Sequence, residues 1–361
     1  MTPKQLLLTA LRGQPAGRIL YCPYMAHWRE LDPKDTSFQN RLEIIESIGA
    51  DPLIRGGNRL FISQHQRVQF ITLQDTPTRK SYRYQTPAGD LQFTYLFVPG
   101  ANTWFLTERP VKELRDLEAV QYIYDDLSVI PDPQIYEICA GTTGHRGLLV
   151  PETGVIRPQS SFQSLMDFWV GTIELRYMLQ DAPGIIENTL AIMRQRNMEA
   201  IWTANQTSAE AIITFENTSS ASLSPALFRS QVLPELQNWA DALHQHGKIL
   251  ICHTGTPIME LIPSFASSGI DVLESISFSP GSEATIRAMR TALSGDITLL
   301  AGIEPIAFDR MSESRLEQYA RQLLKEMPPA GCILSSADAA SPRSALPKLK
   351  LLVKVVSEHN A

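Results

Sequence analysis

Cysteine is scarce in this sequence and never closely paired. Cys22, Cys139, Cys252 and Cys332 are the only four in 361 residues, which excludes a disulfide framework and a C-x-x-C motif and makes a reducing cytoplasm the expected compartment. No apolar run approaches the roughly 20 residues that cross a bilayer. Basic charge is in deficit: 32 lysines and arginines against 38 carboxylates leave a net charge of -6, which argues against the basic patch a nucleic-acid binder needs. Repeats and low-complexity tracts are missing as well. What remains, with 43% hydrophobic residues and 24 prolines, is the composition of a globular chain with a sizeable core and many loops. The amino terminus, "MTPKQLLLTALRGQP", has too short an apolar run and no small-residue cleavage site for a signal peptide. It reads as an amphipathic helix with a threonine start.

Short β-branched or apolar runs alternate with longer helical patterns along most of the chain, the signal for parallel strands joined by crossover helices. Eight such runs can be read, at about 19–25, 51–55, 147–151, 211–215, 248–252, 271–273, 297–301 and 331–335. Helices are expected between them, as in "SPALFRSQVLPELQNWADALHQHG", where Ser224 caps, Pro225 sits in the first turn and Gly247 stops the helix. Others fall at about 184–198, 256–268, 282–294, 312–326 and 344–358. The pattern predicts an α/β fold, a (β/α)8 TIM barrel forming a single domain over 1–361.

One stretch breaks the alternation. From about 65 to 105 polar and apolar residues alternate, with turn residues "DTPT" and "PAGD", which predicts an antiparallel β insertion after strand two. Residues 60–145 are expected to form this β flap, beside the barrel mouth, and its connecting helices. A helical insertion over about 161–198 is expected before strand four.

In such a barrel the chemistry sits at the carboxyl ends of the strands. Those ends carry His27, Trp28 and Arg29; Arg55 and Asn58; Glu152; Glu216 and Asn217; Cys252, His253 and Thr254; Glu274; Glu304; and Asp338. Sulfur, imidazole and carboxylate together suit zinc best among divalent metals, with Cys252, His253, Glu274 and Asp338 as candidate ligands. Each has a plainer reading: Cys252 as a small apolar filler, His253 as a bridge between backbone groups, Asp338 as a turn cap. Glu274 stands out, because a carboxylate within "IDVLESIS" is costly to bury unless paired or metal-bound. His27, Arg29, Arg55, Glu216 and Asn217 are expected to line the substrate. Trp28 and Phe168 read as core.

With the strand ends in hand, the sequence resembles the uroporphyrinogen decarboxylase superfamily, which includes zinc-dependent methyltransferases that pass methyl groups to or from a corrinoid. The resemblance covers most of the chain. It is clearest in "FENTSSASLSPALFRSQVLPELQNWADALHQHGKILICHTGTPIMELIPSFASSGIDVLESIS", in "LLAGIEP", in "GCILSSADAASP" and in the helices of "FQSLMDFWVGTIELRYMLQDAPGIIENTL". The decarboxylases carry a motif close to M-R-Q-A-G-R, whereas "PYMAHWRELD" offers only Arg29, and Asp338 stands where they usually have histidine. The methyltransferases typically read H-x-C-G after the fifth strand and carry a further cysteine in the last loop, all three binding zinc. Aligned on Gly255, this chain places Cys252 at the histidine, Thr254 at the first cysteine and Asp338 near the second. That alignment favours Cys252 over His253 as the inward side chain, while strand twist keeps His253 open.

The resemblance therefore implies a metal-assisted methyltransferase that moves a methyl group from a small methoxy or N-methyl compound to a corrinoid protein, with zinc as cofactor. A harder ligand set suits an oxygen leaving group. Glu274 or Asp338 would act as a general acid provided burial raises its pKa. The flap and the helical insertion would form the docking rim for the corrinoid protein. The alternatives are a decarboxylase-like lyase on a tetrapyrrole or other carboxylated ligand, anchored by Arg29, His27 and Arg55, and a non-catalytic binding paralogue.

Overall fold

The first helix, Pro3–Leu11, begins where a reciprocal cap fixes it. The Thr2 hydroxyl accepts the Gln5 N–H at 3.3 Å, and the Gln5 side chain accepts the Thr2 N–H at 2.8 Å, satisfying two otherwise orphaned donors. The computed structural model describes residues 1–25, 38–56, 59–99, 103–278, 285–293, 295–304, 310–336 and 342–361, the side chains of 38–40, 336 and 342–345 excepted. In chain order its strands are β1 (Leu53–Arg55), β2 (Phe61–His65), β3 (Gln69–Asp75), β4 (Arg79–Thr86), β5 (Gly89–Val98), β6 (Thr103–Glu108), β7 (Leu127–Pro131), β8 (Leu148–Val150), β9 (Ala211–Phe215), β10 (Ile249–His253), β11 (Val272–Ser277), β12 (Thr298–Ile303) and β13 (Cys332–Ser336). The chain divides into two compact units, one of Met1–Leu60, Asp132–Thr153 and Ala204–Ala361, the other of Phe61–Pro131 and Gly154–Thr203.

The first unit is α/β. Five parallel strands run in the order β13-β12-β11-β10-β9, and β1 pairs in parallel with β8. Backbone bonds extend these ladders: a parallel bridge joins Glu152 to Ile213, another joins Tyr21 to Leu334, and the Asp51 N–H donates to the Tyr21 carbonyl at 2.9 Å. Every second residue of these segments points to one shared apolar cluster, which holds Leu20 and Cys22, Leu53, Val150, Ile213, Ile249 and Ile251, Val272, Leu300 and Ile333. Gly147 admits the chain to β8, since a Cβ there would lie 2.6 Å from the Pro52 carbonyl oxygen.

The expected helix after β9 is present with one modification. Ser224 caps it, accepting the Leu227 N–H at 3.3 Å, and a π turn over Phe228–Val232 precedes Leu233–His244. Pro234 has no N–H for the carbonyl of Ser230, and the wider turn absorbs the resulting gap. The helix expected over 256–268 shrinks to a 3-10 turn at Met259–Leu261 and a short helix at Ile262–Phe265, with Pro257 excluded from any earlier turn and Pro263 setting the first one. Among the described residues, no helix is long and apolar enough to cross a membrane.

The second unit pairs an antiparallel meander, β3-β4-β5-β6, with helices drawn from 154–203. Thr76 makes the first turn by exchanging bonds with Arg79 at 2.9 and 3.0 Å. One face carries a run of rings from Phe70 through Tyr84 and Phe93 to Phe168, the last packed edge-on to Phe93 at 5.1 Å; Phe168 is core, as its sequence context suggested. Asp126, at the end of the helix Asp116–Asp125, holds the β2 exit by accepting the N–H groups of Gln66, Arg67 and Val68 at 2.9, 2.9 and 3.0 Å.

Burial alone would raise the Asp126 carboxyl, but the three N–H donors outweigh it and hold the group below the ordinary aspartate range. A depressed folded pKa gives stability that is complete above the unfolded value of about 3.9 and is lost as pH falls through the folded one. Asp126→Ala should therefore cost about 1–3 kcal/mol in urea denaturation at pH 7, and the gap from wild type should narrow as the pH is lowered below about 3.9.

Candidate active site

Strand alternation settles which side chains of β10 turn inward. Ile249 and Ile251 belong to the inner apolar cluster, so His253, two residues on, points the same way and Cys252 points to the opposite face. The same count brings Arg55 inward after Leu53 and Glu274 inward after Val272. His253 and Glu274 are register partners in neighbouring strands. Immediately after Glu274 the ladder slips: Ser275 takes φ 72, and pairing resumes at Ile276. This bulge re-aims the strand at the site, a common place for one.

Where the apolar layers end, a buried polar layer begins. The Arg55 guanidinium grips the Glu274 carboxylate, and both side chains are inaccessible, at 0% and 1% exposure. Arg55 Nη2 also donates to the Cys22 carbonyl at 3.1 Å, and the guanidinium lies over the Tyr24 ring at 4.9 Å. The Ser335 hydroxyl donates to the same Cys22 carbonyl at 2.6 Å. The other Glu274 oxygen faces His253 Nδ1 at 3.7 Å, a contact too long for a hydrogen bond. The His253 ring packs between Phe215, at 5.2 Å, and Tyr24, at 5.6 Å. Nearer the rim, Arg59 Nε meets Glu152 at 3.4 Å, and Gly56 lies so close to Phe215 that a Cβ would come within 3.0 Å of its ring.

The electrostatics follow from this packing. Burial would raise the Glu274 carboxyl, yet Arg55 first and His253 second outweigh it and hold the group below its ordinary value. Glu274 is thus a carboxylate at neutral pH, and the condition for its role as a general acid, a raised pKa, is not met. Three buried polar atoms of the layer have no hydrogen-bond partner: Arg55 Nε, His253 Nδ1 and Glu274 Oε2.

The remaining expected site residues separate into three groups. Cys252 is buried beside Thr214, its register partner in β9, on the opposite face, where burial and the nearby carboxylates of Glu216 and Glu274 push its thiol well up and disfavour the thiolate a metal needs. Glu216 is on that face too, buried and accepting the Thr214 hydroxyl at 2.6 Å, so it does not reach the inner layer. Asn217 is exposed at the rim with φ 49, its N–H donating to the His253 carbonyl at 3.2 Å. Thr254 is committed to the fold, since its N–H and hydroxyl both donate to the Glu274 carbonyl, at 3.0 and 2.9 Å. His27, Trp28, Arg29, Asn58 and Asp338 lie outside the described residues. Tyr24 and Phe215 were not singled out from the sequence, although each falls at the end of a recognised strand run.

The donor set can be tested against zinc. A zinc site takes three or four protein ligands, whereas His253 and Glu274 are the two that converge here, and one of them is already neutralised by a guanidinium. Among the described residues no group of three or more histidines, cysteines, aspartates or glutamates comes together. The described residues do not fit the expected zinc site.

Comparison with known proteins agrees with the architecture. Residues 102–359 match the family model for uroporphyrinogen decarboxylase, and the chain belongs to that family. Over the whole of both chains the structure is similar to a methyltransferase from Methanosarcina mazei, at 13% identity and a TM-score of 0.67, a likeness of fold. A B12-independent methionine synthase from a Shewanella species matches more loosely, at 12% identity over 89% of this chain and 85% of that one, with a TM-score of 0.49. A search of curated proteins gave no significant match.

Breaking the buried pair from one side should be costly. Arg55→Leu leaves a carboxylate in a dry interior and should lose about 3–5 kcal/mol in chemical denaturation, whereas Arg55→Leu combined with Glu274→Leu should lose clearly less. Equal losses from the single and double variants would show that the charge pair does not govern this layer.

Proposed function

We propose that this protein is a methyltransferase that takes a methyl group from a small methoxylated or N-methylated compound and delivers it to a corrinoid held by a partner protein in the cytoplasm. The observation that carries the proposal is the buried layer of Arg55, Glu274 and His253 under the rings of Tyr24 and Phe215, at the carboxyl ends of β1 and β10 and beside them on β11. Strand ends of this polarity are where barrel enzymes do their chemistry. The reading includes closure of the parallel segments into one eight-stranded barrel, supported by the Glu152–Ile213 and Tyr21–Leu334 bridges and the Asp51–Tyr21 bond. It also takes 1–361 as one domain, with the second unit an elaboration of the first: the chain leaves the first unit after Leu60 and Thr153 and re-enters it at Asp132 and Ala204. The fold shared with the Methanosarcina mazei methyltransferase supports the choice of reaction.

A reduced corrinoid supplies the nucleophile for a methyl carbon. The protein has the harder task, because the departing oxygen or nitrogen gathers negative charge as the methyl bond breaks. His253 is placed to meet that atom. With Nδ1 turned to Glu274, the ring presents Nε2 to a bound molecule, and the carboxylate orients the imidazole. Tyr24 and Phe215 flank the ring and keep water from it. The lyase alternative needs Arg55 as a carboxylate anchor, a role weakened by its complete burial against Glu274.

Purified protein incubated with cob(I)alamin and a panel of methoxylated and N-methylated compounds should form methylcobalamin, followed by absorbance, with at least one donor. His253→Ala should lower that rate by about 100-fold or more while leaving the thermal midpoint close to wild type. Failure of every donor would sink the proposal.

A further inference from the structure

The charge arrangement around Arg55 carries a conclusion about how the site is powered, and it rests on reading this layer as the reaction site. The unpartnered pair His253 Nδ1 and Glu274 Oε2, 3.7 Å apart and buried, has the separation of two donors that share one cation. Yet a cation is already present. Arg55 contacts the other oxygen of Glu274, its second terminal nitrogen is tied to the Cys22 carbonyl, and the Tyr24 ring covers its face. A guanidinium cannot shed its proton to make room, so this charge is permanent. One carboxylate offset by one guanidinium leaves no net negative charge to attract a dication. Among the described residues, the rim carboxylate Glu152 is itself paired with Arg59.

We propose that Arg55 takes the place of a divalent metal at this strand end, as the fixed cation that pairs with Glu274 and, through it, sets the His253 ring. Arg55 is then a positioning residue, and the group facing the substrate is the imidazole.

Metal content tests this directly. The full chain, dialysed against zinc and then against buffer, should retain no stoichiometric metal by elemental analysis. Arg55→Gln removes the charge while leaving a polar side chain, frees the pair, and should bind zinc about tenfold tighter or more than wild type by competition with a chromophoric chelator. Arg55→Lys, which keeps the charge, should behave like wild type. A purely structural role for Arg55 would not move zinc affinity in this pattern. Two outcomes would overturn the proposal: one equivalent of zinc retained by the wild type and lost in Glu274→Gln, or equal zinc affinity in wild type and Arg55→Gln. The wild-type measurement depends on no variant folding. None of these readouts involves methyl transfer, so a failed donor screen and a failed metal test remain separate results.

Discussion

A guanidinium and a carboxylate withdrawn together from water are the constraint around which the inner face of the first unit is arranged. Each ion alone would be prohibitive to bury, and their attraction offsets the loss only when the remaining donors and acceptors are also occupied. Arg55 and Glu274 meet that condition in part, through the Cys22 carbonyl and the Tyr24 ring, and leave two of their own polar atoms unmatched beside His253 Nδ1. The unmatched atoms mark where the interior stops being a core and becomes a site.

Local pattern carried the architecture far. Seven of the eight apolar runs appear as parallel strands, because strands buried on both faces read as continuous β-branched stretches, while the first, at about 19–25, contributes only the single bridge from Tyr21 to Leu334. The alternation over 65–105 likewise appears as the antiparallel meander β3 to β6. The two-residue period of "KILIC" followed by His253 already contained the answer to which side chain turns inward, since Ile249 and Ile251 leave no other face for the histidine. The gapless alignment on Gly255 pointed instead to Cys252, because it matched ligand types along the chain without regard to the face each occupied.

The pairing itself was not legible. Arg55 and Glu274 lie 219 positions apart, and no spacing rule joins them. Glu274 was recognised as a carboxylate that needed a partner, but the sequence offered metal, arginine and histidine alike. Thr254 shows the same limit on a smaller scale. Its position in the turn suggested a replaced ligand, while its hydroxyl and N–H are spent on fastening β10 to the Glu274 carbonyl.

The Cys22 carbonyl accepts both Arg55 and Ser335, and it is a main-chain atom. Any residue that fits the surrounding core could stand at position 22 and still offer that oxygen. The anchor of the buried cation is therefore indifferent to the identity of the residue that supplies it. Relatives could drift at this position without loss, and a comparison of side chains alone would pass over the atom that ties the segment around Cys22 to the site.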